Sequence, residues 1–241
     1  RFFTNEDGST LLDRFNKLTS DAQFFDCLVG YFYASGFAAL SKSLENTEKI
    51  RVLIGLSTDK MTYDLIQVGK SGDTTTIEFL SHRQVKDRYG HCVRHEMEKS
   101  DDSYDVERGV RLFIEWIQSG KLEIRVYRAE KIHAKLYIMS YPEGNKDDGR
   151  VITGSSNFSK AGLINNLEFN VELKDQGDFK FAHEKFEELW KDAVDVSEDY
   201  IATIQKDTWL TNNITPYELY LKFLYEYLKE QINQDLETRT V

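Results

Sequence analysis

The chain has 241 residues, with 31 Lys and Arg against 41 Asp and Glu and a formal net charge of −10. That length suits one large domain, or one domain with an appendage. Hydrophobic residues at 40% and aromatics at 13% exclude a disordered chain, and no run approaches the ~18 consecutive apolar residues of a membrane-spanning helix. The acidic balance argues against whole-surface attraction to nucleic acid but leaves room for a local basic groove. Cys27 and Cys92 form no CxxC pair. They predict no disulfide framework and point to a reducing, cytoplasmic location. The chain starts at Arg1, as expected of a piece trimmed from a longer protein.

Residues 24–32 (FFDCLVGYF) form a near-continuous apolar run that predicts a buried strand. Residues 35–44 follow with Phe37, Leu40 and Leu44 at helical spacing, and 50–56 (IRVLIGL) predict a second strand. Strand, helix and strand in so short a stretch mark a βαβ unit with a parallel pair. Residues 58–120 read as mostly helical, with Val110, Phe113, Ile114 and Ile117 as the apolar stripe and Gly120 as the stop. Strands are expected over 122–127, 132–139 and 151–153, and 141–150 (YPEGNKDDGR) is dense in turn residues. Residues 167–173 (LEFNVEL) alternate as a final strand, and 179–194 carry Phe179, Ala182, Phe186 and Leu189 as a surface helix. The expected fold over 1–195 is α/β, a mixed, largely parallel sheet flanked by helices on both faces. From 196 to 241 the character shifts to a helical extension. Thr215 and Pro216 open a helix with aromatics at Tyr217, Tyr220, Phe223 and Tyr227. That helix either packs on the core, docks a partner, or leads into a further domain.

The stretch 132–139 carries the chemistry. Strand alternation puts His133, Lys135, Tyr137 and Met139 on one face and Ile132, Ala134, Leu136 and Ile138 on the other. Burying an unpaired lysine in a central strand costs several kcal/mol, whereas an anion bound between imidazole and ammonium would satisfy both. Downstream, an apolar strand ends in Gly154-Ser155-Ser156-Asn157. That strand end offers backbone N–H groups, hydroxyls and a carboxamide to a phosphate.

Together these residues resemble the phospholipase D superfamily, whose signature joins HxK and a following Asp to GSxN and an acidic residue on the next strand. Here they stand as His133-Ala134-Lys135, Gly154-Ser155-Ser156-Asn157 and Asn166-Leu167-Glu168. Ser140 occupies the Asp position, with Asp147 or Asp148 as possible substitutes, and the insert 141–150 widens the gap. The resemblance implies a phospholipase D-like fold and a phosphodiesterase or nuclease acting on DNA, without metal or other cofactor. His133 would attack phosphorus and carry a covalent phosphohistidine, with Glu168 fixing its tautomer. Lys135, Asn157 and Ser155 would hold the nonbridging oxygens, with Gly154 and Ser156 completing the phosphate loop. A single motif is half a site, so the resemblance also implies a homodimer whose second His133 protonates the leaving group. The stretches YFYASGF, IRVLIGLSTDK and TPYELYLKFLYEYL further resemble the segment that precedes the motor domain of some bacterial SNF2-type helicases. A helicase motor domain would then be the partner within a longer chain, and no membrane is implied.

Other motifs have simpler readings. His183-Glu184-Lys185 repeats the HxK letters on a predicted helix, where positions two apart diverge by roughly 200°. His91 and His95, beside Cys92 and Glu96, have a zinc-compatible spacing but no second ligand pair. Arg125, Arg128, Lys131, Arg150 and Lys160 are the basic residues nearest the motif and candidates to line a phosphate path. The competing class is a binding module that grips a backbone phosphate without cutting it; a third, lipid hydrolysis, lacks a basic amphipathic helix or exposed apolar loop, and the bland reading of the motif is a core histidine beside a lysine reaching outward.

Overall fold

The computed structural model describes residues 1–6, 10–30, 32, 34–55, 83, 86, 87, 90, 104–127, 132, 134–207, 220, 221 and 224. Its centre is an eight-stranded mixed sheet. The strands are β1 (Phe2–Thr4), β2 (Phe24–Val29), β3 (Lys49–Gly55), β4 (Leu122–Tyr127), β5 (Lys135–Ser140), β6 (Gly149–Gly154), β7 (Phe169–Leu173) and β8 (Val194–Asp195). Their spatial order is β1-β7-β6-β5-β2-β3-β4-β8. The helices are α1 (Leu11–Leu18), α2 (Ala34–Leu40), α3 (Tyr104–Gln118), α4 (Gln176–Lys191) and α5 (Ser197–Asp207). The α/β expectation holds, and β2-α2-β3 is the anticipated parallel unit.

The sheet is not largely parallel. Only β2–β3 and β3–β4 pair in parallel, while β1–β7, β2–β5, β4–β8, β5–β6 and β6–β7 are antiparallel. The reason is connection length. A crossover helix returns the chain to the same end of the sheet, whereas a short turn reverses it. The 141–150 turn closes with Tyr141 N donating to Asp148 O at 2.9 Å and Asn145 N donating to Pro142 O at 3.2 Å. From β5 to β7 the sheet is therefore a meander.

Both faces of the sheet are covered. Alternate residues of the central strands enter two cores, which is why β2 reads as a continuous apolar run. On one face Phe25, Cys27, Tyr137, Met139 and Ile152 join Phe15 of α1, Phe37 of α2, Phe113 of α3 and Tyr200 of α5. On the other, Leu28, Leu53, Ile138 and Val151 meet Phe186 and Trp190 of α4. The α3 stripe is as expected, with Trp116 added, and Gly120 follows it at φ +76°. Three elements lie outside the sequence expectation: α1, β1 and the two-residue β8, which pairs with β4 where the helix expected over 179–194 would end. Thr10 and Asp13 form a capping box at the start of α1, with Thr10 N donating to Asp13 Oδ2 at 3.0 Å and Asp13 N to Thr10 Oγ1 at 3.1 Å. β1 is a three-residue edge strand on β7. Of the helix expected after Pro216, only Tyr220, Leu221 and Leu224 are described, and all three are exposed. Among the described residues no helix is long and apolar enough to cross a membrane.

One charge breaks the apolar run of β2. Asp26 is 1% exposed and faces its register partner Arg51 on β3. Arg51 Nε lies 2.6 Å from Asp26 Oδ1 and Nη2 lies 2.8 Å from Oδ2. Its Nη1 reaches Glu187 of α4 at 2.6 Å, and the guanidinium sits 5.0 Å from the Phe186 ring centre and 5.4 Å from that of Trp190. The group thus ties two strands to the helix across them. Burial raises the Asp26 carboxyl above its ordinary range, and Arg51 opposes that shift without cancelling it. A raised carboxyl stabilises the fold most when protonated, so its contribution is lost as pH rises through its folded-state value. Removing Arg51 strands the charge. The expected loss for Arg51→Met is about 3–5 kcal/mol at neutral pH, shrinking as Asp26 protonates in acid. Urea titrations at several pH values should show this, and an Asp26→Leu/Arg51→Met double variant should recover much of the loss.

Candidate active site

The antiparallel seating of β5 determines which groups meet. Because β5 runs against both β2 and β6, its first residue lies where β2 and β6 end. Lys135 is that residue. It pairs with Val29 on β2, and its carbonyl accepts from Thr153 Oγ1 of β6 at 2.9 Å. Lys135 is half-buried at the strand's mouth, so the anticipated burial of a lysine in mid-strand does not arise. The main chain of Ile132 crosses the ends of β2 and β3 at Gly30 and Gly55. His133 lies outside the described residues, as do Arg128 and Lys131.

Beside Lys135, β6 ends at Gly154 and runs into the hydroxyl-amide loop. Gly154 pairs with Asn170 of β7 so closely that a Cβ there would stand 2.3 Å from Phe169 O and 2.4 Å from Asn170 Oδ1. Only glycine fits this close approach. Ser155 is exposed and tied to the start of β7. Its N donates to Phe169 O at 3.0 Å, Phe169 N donates to its Oγ at 3.0 Å, and its hydroxyl donates to the Glu168 carboxylate. The other oxygen of Glu168 accepts from Asn166 Nδ2 at 3.4 Å. Ser155 and Glu168, chosen from separate motifs, are therefore in contact.

Ser156 behaves differently. It is fully buried. Its carbonyl accepts from the Tyr137 hydroxyl at 2.8 Å and its hydroxyl from Asn170 Nδ2 at 2.9 Å. The expected phosphate contact through Ser156 therefore finds its side chain directed into the protein. Asn157 is half-buried, and its Oδ1 is shielded from solvent without a hydrogen-bond partner. Its carbonyl accepts from Ser159 N at 2.8 Å, and the π-helical turn Ala161–Asn165 packs Gly162 against its main chain. Strand alternation places Tyr137 on the face of Lys135 but assigns it no role, and no motif singles out Asn170. The available signal is their spacing, each two residues beyond a motif residue.

The surroundings are partly committed to the frame. Arg125 pairs with Glu123 at 2.6 Å and donates to Trp190 O at 3.0 Å. Arg150 joins Asp147, and its Nε lies 3.6 Å from buried Glu172. Both arginines thus serve ion pairs of the scaffold, while Lys160 is exposed beyond the loop. Ser140 stands at the other end of β5, five residues or roughly 16 Å from Lys135. Asp147 bonds Arg150 and Asp148 bonds Gln176 in the hairpin beside it. His183 and Lys185 lie on α4, where His183 Nε2 faces Glu187 at 3.9 Å and Lys185 bonds Glu188 at 2.7 Å. Among the described residues no three His, Cys, Asp or Glu side chains gather as a metal-binding group. His91, Cys92, His95 and Glu96 lie outside those residues.

The likeness to known proteins covers this whole assembly. Among solved structures, Nuc from Salmonella typhimurium, a phospholipase D family member, aligns at 14% identity and a TM-score of 0.45, over 81% of this chain and 95% of that one. NucT from Helicobacter pylori aligns at 12% identity and 0.43, over 81% and 97%. The phosphatidylserine synthase of Haemophilus influenzae Rd KW20 aligns at 16% identity and 0.50, over 98% of this chain and 45% of that one. At such identities the likeness is one of fold. No curated protein matches the sequence. The family model for the cardiolipin synthase, PLD-like domain matches residues 20–190. That span runs from the approach to β2 almost to the end of α4 and holds every motif residue, so the chain belongs to the phospholipase D-like family.

Proposed function

We propose that this protein is a metal-independent phosphodiesterase that cleaves DNA through a phosphohistidine on His133, its site completed by a second copy of the chain. The observation that carries the reading is the contact of Ser155 with Glu168 beside Lys135, where three motif segments from three strands share one end of the sheet. Family membership supports the reaction type. In the first step the imidazole of His133 bonds to phosphorus as the bond to the leaving oxygen breaks, and the partner's His133 gives that oxygen its proton. In the second, the partner's imidazole takes a proton from water, whose oxygen displaces His133 from phosphorus. Lys135, Ser155 and Asn157 stabilise the charge on the nonbridging oxygens. Glu168 orients the imidazole. The flanking-sequence resemblance further suggests a helicase motor domain in the full-length protein and a cytoplasmic setting.

The net charge of −10 favours a second reading, in which the same pocket grips a phosphate without turnover. Two variants separate the readings. Wild type should cleave plasmid DNA in EDTA, and His133→Ala should reduce cleavage at least a thousandfold while leaving the melting temperature near wild type. Equal cleavage by both proteins would remove His133 from the mechanism. Lys135→Ala should weaken DNA affinity and flatten its salt dependence under either reading. Such a loss of affinity beside a wild type that never cleaves would select the binding module. Light scattering should give a dimer, and a strictly monomeric yet active protein would refute the shared site.

A further inference from the structure

The loop at the end of β6 is gripped from beneath by the two strands that flank it. Tyr137 of β5 donates to the Ser156 carbonyl at 2.8 Å, and Asn170 of β7 donates to the Ser156 hydroxyl at 2.9 Å. All three residues are buried. Each strand also carries or adjoins a group of the proposed phosphate site. Tyr137 lies two positions beyond Lys135 on the same face of β5, and Asn170 lies two positions beyond Glu168, the residue that immediately precedes β7. Two residues along a strand span roughly 6.6 Å. The clamp and the cradle are therefore adjacent layers of one construction.

Packing alone does not explain either side chain. Phe15 and Phe158 lie 5.0 and 6.2 Å from the Tyr137 ring, centre to centre. A phenylalanine would fill that apolar space equally, so the hydroxyl adds direction and not bulk. Burial pushes the phenol well above its ordinary range, keeping it a donor at neutral pH. Asn170 Oδ1 is buried without a hydrogen-bond partner. Such an acceptor is costly, and its retention makes sense where the amide N–H is needed.

We propose that Tyr137 and Asn170 are positioning residues: by fixing Ser156 from below they hold Ser155 and Asn157 at the rim beside Lys135, where a phosphate would be gripped. This rests on the phosphodiesterase reading above. The clamp contributes to the transition state through the loop and not by touching substrate.

The test uses the full chain as Tyr137→Phe, Asn170→Ala, Ser156→Ala and the Asn170→Ala/Ser156→Ala pair. Three quantities are measured: melting temperature, tungstate affinity by calorimetry, and turnover of bis(p-nitrophenyl) phosphate. Tyr137→Phe should fold and lose on the order of 10- to 100-fold in kcat with KM nearly unchanged, and tungstate should bind it more weakly. The double variant should be no worse than Asn170→Ala alone, because both changes break one bond. Variants that melt lower yet keep wild-type kcat and tungstate affinity would overturn the positioning role. Should Asn170→Ala fail to fold, Tyr137→Phe decides alone. Where wild type binds tungstate without turnover, affinity decides. A wild type that neither binds tungstate nor turns over the diester removes the phosphodiesterase reading itself, a failure visible before any variant is made.

Discussion

The direction of β5 is the constraint on which the rest depends. Two parallel units build β2, β3 and β4, and their strands end together at one rim of the sheet. β5 enters beside β2 in the opposite sense, so its beginning lies at the same rim. The hairpin that follows returns β6 to that rim as well, and β7 starts from it. Lys135, Gly154, Ser155 and Glu168 are thereby gathered from distant points in sequence without any long loop. The β5–β6 hairpin by itself keeps Lys135 beside the hydroxyl-amide loop, and the direction of β5 against β2 sets them at the rim where β2, β3 and β4 end.

Holding such a rim in place requires a stiff sheet, and two buried carboxylates contribute to that stiffness. Asp26 and Arg51 link β2 to β3 and, through Glu187, to α4. Glu172 on β7 meets Arg14 of α1 at 2.5 Å and Arg150 of β6 at 3.6 Å. Each carboxylate carries a desolvation cost that its cations offset, so neither is strong evidence of net stability. Their effect is geometric. A charge inside an apolar core tolerates very few arrangements, and both helices are thereby registered against the sheet. Glu172 also commits Arg150 to the scaffold, as Glu123 and the Trp190 carbonyl commit Arg125.

Much of this was legible in the sequence because the central strands and their helix obey simple periods. β2, β3, β4 and the α3 stripe stand where apolar runs and helical spacing put them, and the motif letters led to Lys135, Ser155 and Glu168. What escaped has specific causes. The helix-and-strand alternation that signals a parallel sheet stops at β4, and beyond it only turn lengths reveal antiparallel pairing. β1 is too short to carry a pattern and exists because β7 offers it an edge. α1 did carry a signal, the Thr10–Asp13 box ahead of Leu11, Phe15 and Leu18. In β7 the alternation is real but opposite to the usual sense at its start. Phe169 is 65% exposed while Asn170 and Glu172 are buried, because the polar face meets α1 and the loop from β6. Periodicity reports that two faces differ, and only the partners on each face say which one is inside.

The two ends of β5 have separable duties, and this bears on the departure from the family signature. Ser140 takes the place of the aspartate, yet it lies at the hairpin end, 9% exposed and with its hydroxyl unpartnered. A residue roughly 16 Å from Lys135 cannot touch a phosphate held at the other rim. Its influence on chemistry would have to pass along a strand whose middle is fixed by Tyr137 and Met139 in one core and Ile138 in the other. Any such influence is indirect, carried by packing and not by contact with substrate. The exchange of Asp for Ser therefore alters how the hairpin is anchored, a task that Arg150 with Asp147 and Gln176 with Asp148 already share. The groups that would handle phosphorus are left where the direction of β5 brought them.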